Sequence, residues 1–338
     1  IGNVHEHYGD EVVRQLAANL PNLESIKGLS YLSAEGMKTL TAFRNLKCLH
    51  VTLKDRKQGY YGPTGLSHLA GLGSLEELCI SSDDALSDAD LACLEPLGRL
   101  KELNIRSRHL TDQNLESISK LRRLEKLTIF CPVTRNALNQ LNGLANLQHL
   151  QVNAHRRGNA AATDADELML DLSGLKKMKD MSLSGLSLQD SDLAFLKDLP
   201  LLENLMIQPD GPLNGTSLRH LRELSELNRL FISRLSDCTG EDLAHLNNLS
   251  KLRDLTMIGD INDSALSSLE GLSSLWSLRI DTDEPIRKQT VTELQESHPA
   301  IEYIHINERQ KVQTRPPQRE RTRTSQPRTN RRAPRRRR

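Results

Sequence analysis

The sequence predicts an α/β protein in which one short strand-and-helix unit is repeated along the chain. A six-residue pattern, apolar at its first, fourth and sixth positions, begins at twelve places between residues 23 and 301. Successive starts are separated by 23 to 31 residues, a period typical of stacked repeats. The composition is 37% hydrophobic but only 3% aromatic, which indicates a core built mainly from layers of leucine.

One complete unit is the segment from Leu100 to Arg123, LKELNIRSRHLTDQNLESISKLRR. Its strand places Leu103 and Ile105 on one face, because successive side chains of a strand point to opposite faces. Thr111 supplies a helix N-cap. Three apolar residues at a spacing of three then follow on one side of a helix or 3₁₀ segment: Leu115, Ile118 and Leu121. We expect the two apolar faces to pack together and each unit to need its neighbours in order to fold.

The chain divides into three regions. Residues 1–22 carry apolar residues at helical spacing before Pro21 and predict an N-terminal capping helix. Residues 23–308 hold about twelve repeats, and the last of them is a strand with no helix after it. Residues 309–338 are rich in arginine and proline and have no aliphatic residue larger than alanine beyond Val312, so they predict a disordered tail.

The formal net charge of +1 conceals a strong asymmetry. Residues 309–338 contain 13 basic residues and one acidic residue, a net charge of +12. The remainder has 32 basic and 43 acidic residues, a net charge of −11. The sequence therefore predicts an acidic body that carries a basic tail.

Residues that could carry chemistry are scattered. The five cysteines form no C-x-x-C pair, which favours reduced thiols over disulfides or a zinc site. His5 and His7 flank Glu6 near the N-terminus, but no third ligand lies at a fixed offset, so a solvated terminus is the better interpretation. We expect no metal, no cofactor and no enzymatic activity. No apolar run is long enough for a membrane span, and we expect a monomeric cytoplasmic protein.

The repeated motifs LEELCI, LKELNI, LEKLTI, LENLMI and LRDLTM resemble those of the leucine-rich repeat family, and the resemblance covers residues 23 to about 307. It implies a curved solenoid with a parallel β-sheet on its concave face and short helices on its convex face. The L-T-D-x-x-L style looks more like the bacterial and F-box-associated members, although we expect no F-box helices in the N-terminal segment. The asparagine that many members place after the strand is replaced here, so a continuous asparagine ladder is not expected.

The third, fifth and seventh positions of each strand are predicted to form the concave surface. Two of the four phenylalanines fall there, which favours a protein-binding role. Seven residues are the candidate contacts with a protein partner: Arg106, Lys126, Phe130, Met206, Arg229, Phe231 and Ile258. The alternative is that these side chains fold back over the strand turns.

Two further candidate regions lie outside the strands. The long segment from Lys54 to Gly65 contains Tyr60 and Tyr61, which are either rim-loop contacts or part of a merely tolerated insertion. The tail arginines could hold a phosphate of a nucleic acid, an acidic partner or the acidic body. The tail candidates are Arg331, Arg332, Arg335, Arg336, Arg337 and Arg338. The sequence thus predicts a protein-binding scaffold first and a nucleic-acid-associated adaptor second.

Overall fold

The structure is a computed structural model that describes residues 8–53, 64–82, 86–108, 110–154, 168–269 and 271–308. The described residues form a parallel sheet of 13 strands. The strands are β1 Ser25–Leu32, β2 Cys48–Leu53, β3 Glu77–Ser81, β4 Glu102–Arg106, β5 Lys126–Phe130, β6 His149–Asn153, β7 Asp180–Ser184, β8 Asn204–Gln208, β9 Leu213–Asn214, β10 Arg229–Cys238, β11 Asp254–Ile261, β12 Ser277–Thr282 and β13 Tyr303–Glu308.

The strands are arranged in sequence order, so each repeat adds one strand to the edge of the sheet. The short β9 is the exception, because it pairs only with β10 and lies off the main path. Equivalent positions of neighbouring repeats are aligned: Leu103 of β4 is opposite Leu127 of β5, and Ile105 is opposite Ile129. Each position of the motif therefore forms a row across the sheet.

The core lies on one face of this sheet, as the motif predicted. The fourth and sixth positions of β2 to β8 and β10 to β12 are at most 2% exposed. The apolar residues that follow at a spacing of three are buried against them, for example Leu91, Leu94 and Leu97. The prediction of an α/β solenoid with leucine layers is confirmed in this respect.

Short helices return the chain from the end of one strand to the start of the next. The α-helices are α1 Tyr8–Asn19, α2 Ala34–Thr39, α3 Asp88–Ala92, α4 Asp112–Ser119, α5 Arg135–Asn139, α6 Gly240–Ala244, α7 Asp263–Leu266 and α8 Lys288–Ser297. Segments of 3₁₀ helix are Leu40–Ala42, Leu66–Gly71, Gln140–Gly143, Asp190–Asp198 and Gly215–Leu221. These elements are short because a repeat of about two dozen residues leaves little chain for them after the strand and its turns.

The two ends of the sheet differ. At the first strand, α1 packs its buried Val13 against the core, and the Asp10 carboxylate accepts a 2.9 Å hydrogen bond from the Ser33 backbone N–H. At the last strand, Ile304 and Ile306 are only half-buried. None of the helices in the described part of the chain combines the length and the apolarity that a membrane span requires.

Candidate functional site: the open face of the sheet

The face of the sheet opposite the core carries the third, fifth and seventh residues of each strand motif. We call it the open face; it corresponds to the predicted concave surface. Most of its residues are exposed or half-buried, as in β4, where Glu102 and Arg106 are exposed and Asn104 is half-buried. Because the strands are in register, the open face is a grid of three rows, with about 4.8 Å between neighbouring strands.

A shallow groove of about 550 Å³ lies across the middle of the open face. It extends from β5 to β11, six neighbouring strands that span about 24 Å at the usual strand spacing. Met206 of β8 and Phe231 of β10 are register partners on its floor. Met206 is 40% exposed, and Phe231 is half-buried. An apolar pair in contact with solvent therefore occupies the centre of the groove.

Charged side chains of both signs surround this apolar pair. Arg229 Nε lies 3.2 Å from Asp254 Oδ2 on the next strand. On the other side of the pair, His149 contacts the carboxylate of Asp180. Lys126 lies at the far end of the groove, 3.7 Å from a carboxylate oxygen of Glu102. The groove thus combines an apolar centre with hydrogen-bonding groups at its border.

The structure brings together four of the seven residues predicted for the concave surface. The groove is lined by Lys126, Met206, Arg229 and Phe231. The other three occupy the seventh-position row, where Arg106 and Phe130 are register partners at the ends of β4 and β5 and Ile258 lies within β11. Tyr60, Tyr61 and the tail arginines lie outside the described residues.

A second group of side chains on the open face was missed by the sequence analysis. The ligand-type atoms of Cys48, His50 and Glu77 all lie within 4.8 Å of one another. His50 Nε2 is 2.5 Å from Glu77 Oε1, and Lys27 Nζ is 3.2 Å from the same oxygen. Aligning the repeats would have revealed this group, because Cys48 is opposite Glu77 and His50 is opposite Cys79.

The protonation of this group follows from its surroundings. Partial burial opposes ionisation of Glu77, but hydrogen bonds with His50, Cys48 and Lys27 outweigh it and lower the pKa of its carboxyl to about 2. Burial raises the pKa of the Cys48 thiol, and the neighbouring Glu77 raises it further. Glu77 is therefore a carboxylate at neutral pH, and Cys48 carries its proton.

An aromatic pair marks the end of the sheet. The rings of Trp276 and Tyr303 meet edge to face, with centroids 4.7 Å apart and planes at 71°. Trp276 also borders a second depression with Arg229 and Arg253, at the side where the strands begin. Since Arg229 borders both depressions, the groove continues toward this edge.

Among known proteins, the chain is similar to solved structures. No protein-family model matches the chain, and no curated protein matches its sequence. An internalin (inlF) from Listeria monocytogenes is similar with a TM-score of 0.54 and 18% identity, over 88% of this chain and 89% of that chain. A leucine-rich repeat protein of Leptospira interrogans gives a TM-score of 0.52 and 14% identity, over 91% and 83% of the two chains.

A third solved structure, described as a TDR receptor, gives a TM-score of 0.51 at 14% identity. It covers 86% of this chain, and this chain covers 60% of it. These similarities agree with the ordered parallel sheet, its leucine core and the short helices behind it. The chain therefore has the leucine-rich repeat fold.

Proposed function

We propose that this protein is a binding scaffold that holds a protein partner on the open face of its sheet, in the groove centred on Met206 and Phe231. The observation that carries the proposal is the exposure of these two apolar side chains side by side in a groove otherwise bordered by polar groups. A methionine and an aromatic ring are side chains that contribute strongly to interface energies.

The dimensions of the groove suit a protein ligand. A standard interface buries about 800 Å² on each partner, which corresponds to a patch a few tens of ångströms across. The groove reaches about 24 Å along the sheet before its continuation toward Trp276 is counted. The similarity of fold to a protein described as a receptor agrees with a recognition role.

The arrangement of charges indicates what kind of segment would bind. Asp180 and Asp254 lie on either side of the apolar pair, and each is already paired with a basic residue, His149 or Arg229. A partner that inserts one or two apolar side chains and offers hydrogen-bonding groups beside them would leave these pairs intact. A highly charged partner of one sign would have to break them, at a cost in desolvated charge.

The proposal is tested by substitution of the groove floor. The full chain and its Phe231→Ala and Met206→Glu variants are used to capture partners, and the affinity of each purified partner is then measured. Loss of an anchor at the centre of an interface costs about 2 kcal/mol, so we expect the Phe231→Ala variant to bind about 30-fold more weakly.

Leu201 provides a matched control. It is 45% exposed and lies in the turn before β8, outside the groove lining. Leu201→Glu should leave the affinity unchanged while making the same apolar-to-acidic change as Met206→Glu. Unchanged affinity in the groove variants, with their unfolding midpoints preserved, would show that the partner binds elsewhere.

A further inference from the structure

Cys48, His50 and Glu77 combine three side chains that bind transition metals on one rigid patch of the sheet. Cys48 and His50 are the third and fifth motif positions of β2, and Glu77 is the third position of β3. Parallel pairing fixes Cys48 directly beside Glu77. All three side chains therefore reach the same side of the sheet, from strands held by main-chain hydrogen bonds.

The distances are close to those a metal requires. Zinc binds thiolate sulfur at about 2.3 Å and imidazole nitrogen or carboxylate oxygen at about 2.0–2.2 Å, in a tetrahedral arrangement. Ligand atoms around such a centre are then about 3.3–3.8 Å apart. The three atoms lie within 4.8 Å of one another, and the His50–Glu77 pair is at 2.5 Å, so small side-chain rotations would bring the separations into this range.

The ammonium group of Lys27 is a cation that already lies beside this cluster. It reaches across β2 from β1 to lie 3.2 Å from Glu77 Oε1. The lysine side chain is 53% exposed, and exposed ion pairs of this kind contribute little to stability. A divalent ion could therefore displace the ammonium group into solvent at small cost.

We propose that Cys48 Sγ, His50 Nε2 and a Glu77 carboxylate oxygen form a zinc site on the open face. Cys79, the register partner of His50, or a water molecule completes the four ligands. On binding, the S–Zn bond replaces the S–H bond of Cys48, the proton is released to solvent, and the Lys27 ammonium leaves the carboxylate. The site on β2 and β3 is separated by β4 from the groove, which begins at β5, and it does not depend on the protein-binding proposal.

Cobalt(II) is the probe for the test, because thiolate coordination of cobalt gives a charge-transfer absorption band. The full chain is reduced, treated with a chelator and titrated with cobalt, and zinc is then added in competition. We expect one equivalent of cobalt to bind with a thiolate band, and zinc to displace it. The intensity of the band distinguishes coordination by one thiolate from coordination by two.

Substitutions identify the ligands. Cys48→Ser should abolish the thiolate band, or reduce it by half if Cys79 is the fourth ligand. His50→Gln and Glu77→Gln should each weaken zinc binding by at least about tenfold. Lys27→Met should strengthen binding, because the competing ammonium group is removed. The tips of His50 and Glu77 are partly exposed, so the His50 and Glu77 variants should keep the fold even if the Cys48→Ser variant fails to fold.

Two controls separate this site from other histidines. His5→Gln with His7→Gln should leave the binding unchanged, as should His149→Gln, whose histidine also pairs with an acidic residue on the open face. The proposal is overturned if the full chain gives no thiolate band with cobalt. It is also overturned if the band is as strong in Cys48→Ser, or if the His50 and Glu77 variants bind zinc as tightly as the full chain.

Discussion

Gly259 has a backbone conformation and a local environment that a side chain would not fit. Its φ is +153°, and a Cβ atom at this position would lie 2.1 Å from the Leu235 carbonyl oxygen. Leu235 is its register partner at the point where the pairing of β10 and β11 shifts, between Ser233 and Leu235. The glycine therefore allows two irregular strands to remain paired.

Replacement of Gly259 by alanine should lower the free energy of unfolding by about 1–3 kcal/mol, because the backbone must move away from Leu235 or become strained. Urea unfolding followed by circular dichroism measures the change. Gly73→Ala is the matched control, since a Cβ there has no neighbour within 4 Å. We expect the control to change stability by less than about 0.5 kcal/mol. Equal effects of the two substitutions would contradict this account.

Single residues were predictable where the motif alone determines their environment. Leu103 and Ile105 could be placed in the core because strand alternation is a local property. Met206 and Phe231 could be placed on the open face in the same way, but their pairing depends on the register between β8 and β10. The group around Cys48 was missed because its members are up to 29 positions apart in sequence and come together only when two neighbouring repeats are aligned.

At the scale of elements, the helix starts form a ladder that connects neighbouring repeats. The sequence predicted an N-cap at Thr111, and Ser87, Thr111 and Thr239 each accept a hydrogen bond from the backbone N–H group three residues on. The first helical residue then links to the next repeat: Asp88 Oδ1 accepts a 2.6 Å hydrogen bond from Thr111 Oγ1. Asp263 receives the same kind of bond from Thr290 at the end of the sheet.

These carboxylates connect repeats for which the sequence predicted no continuous asparagine ladder. The caps were predictable because they lie within one repeat. The bonds between repeats were not, because they depend on the distance between successive helix starts.

The long repeat that begins at Leu147 interrupts this series of helix starts. A buried ion pair joins the repeat before it to the repeat after it. Residues 168–177, its described part after the strand, form no helix. Arg135 of α5 instead reaches over to Asp192 in the following repeat, with Nη1 2.6 Å from Oδ2, and the two side chains are only 8% and 0% exposed. The Leu170 backbone N–H also donates to this carboxylate at 2.9 Å. One arginine thus connects the repeats on both sides of the long repeat.

Replacement of Arg135 by methionine should destabilise the protein by about 3–5 kcal/mol, because it leaves the Asp192 carboxylate buried without its counter-charge. The double variant Arg135→Met with Asp192→Asn should recover part of this loss, since the buried charge is removed as well. Urea unfolding of the two variants gives the comparison.

The exposed Arg123 supplies the control, and Arg123→Met should be nearly neutral. A loss below about 1 kcal/mol for Arg135→Met would show that the ion pair does not hold the two repeats together.

At the scale of the whole molecule, the period of the motif predicted a stack of strand-and-helix repeats, and the resemblance to leucine-rich repeats implied the parallel sheet that the structure contains. Each repeat contributes one strand and the chain between strands is short, so the order and parallel direction of the strands follow from stacking alone. What lies between the repeats was less predictable. The side strand β9 and the shift in the pairing of β10 with β11 between Ser233 and Leu235 are local irregularities that the period of the motif does not encode. The charge asymmetry is likewise a property of the whole chain rather than of any repeat.

The basic tail and the acidic body lead to a prediction about nucleic acids. Each phosphate neutralised by a cationic side chain releases counterions, so affinity falls steeply as salt rises, with a logarithmic slope of about 0.9 per contact on double-stranded DNA. The acidic body, at −11, repels the same phosphates, so binding should depend on the tail, at +12. Conversion of six tail arginines to glutamine should lower the slope by as much as about 5 and weaken binding at low salt.

The measurement is fluorescence anisotropy of a labelled duplex titrated with the full chain over a salt series. The six altered residues are Arg331, Arg332, Arg335, Arg336, Arg337 and Arg338. A variant with six exposed body arginines changed to glutamine is the control: Arg44, Arg99, Arg123, Arg219, Arg222 and Arg253. If both variants lose affinity and slope equally, net charge alone governs the interaction and the tail has no special part. If only the tail variant loses them, the arginines at the end of the chain form the nucleic-acid contact, and the open face remains available for a protein partner.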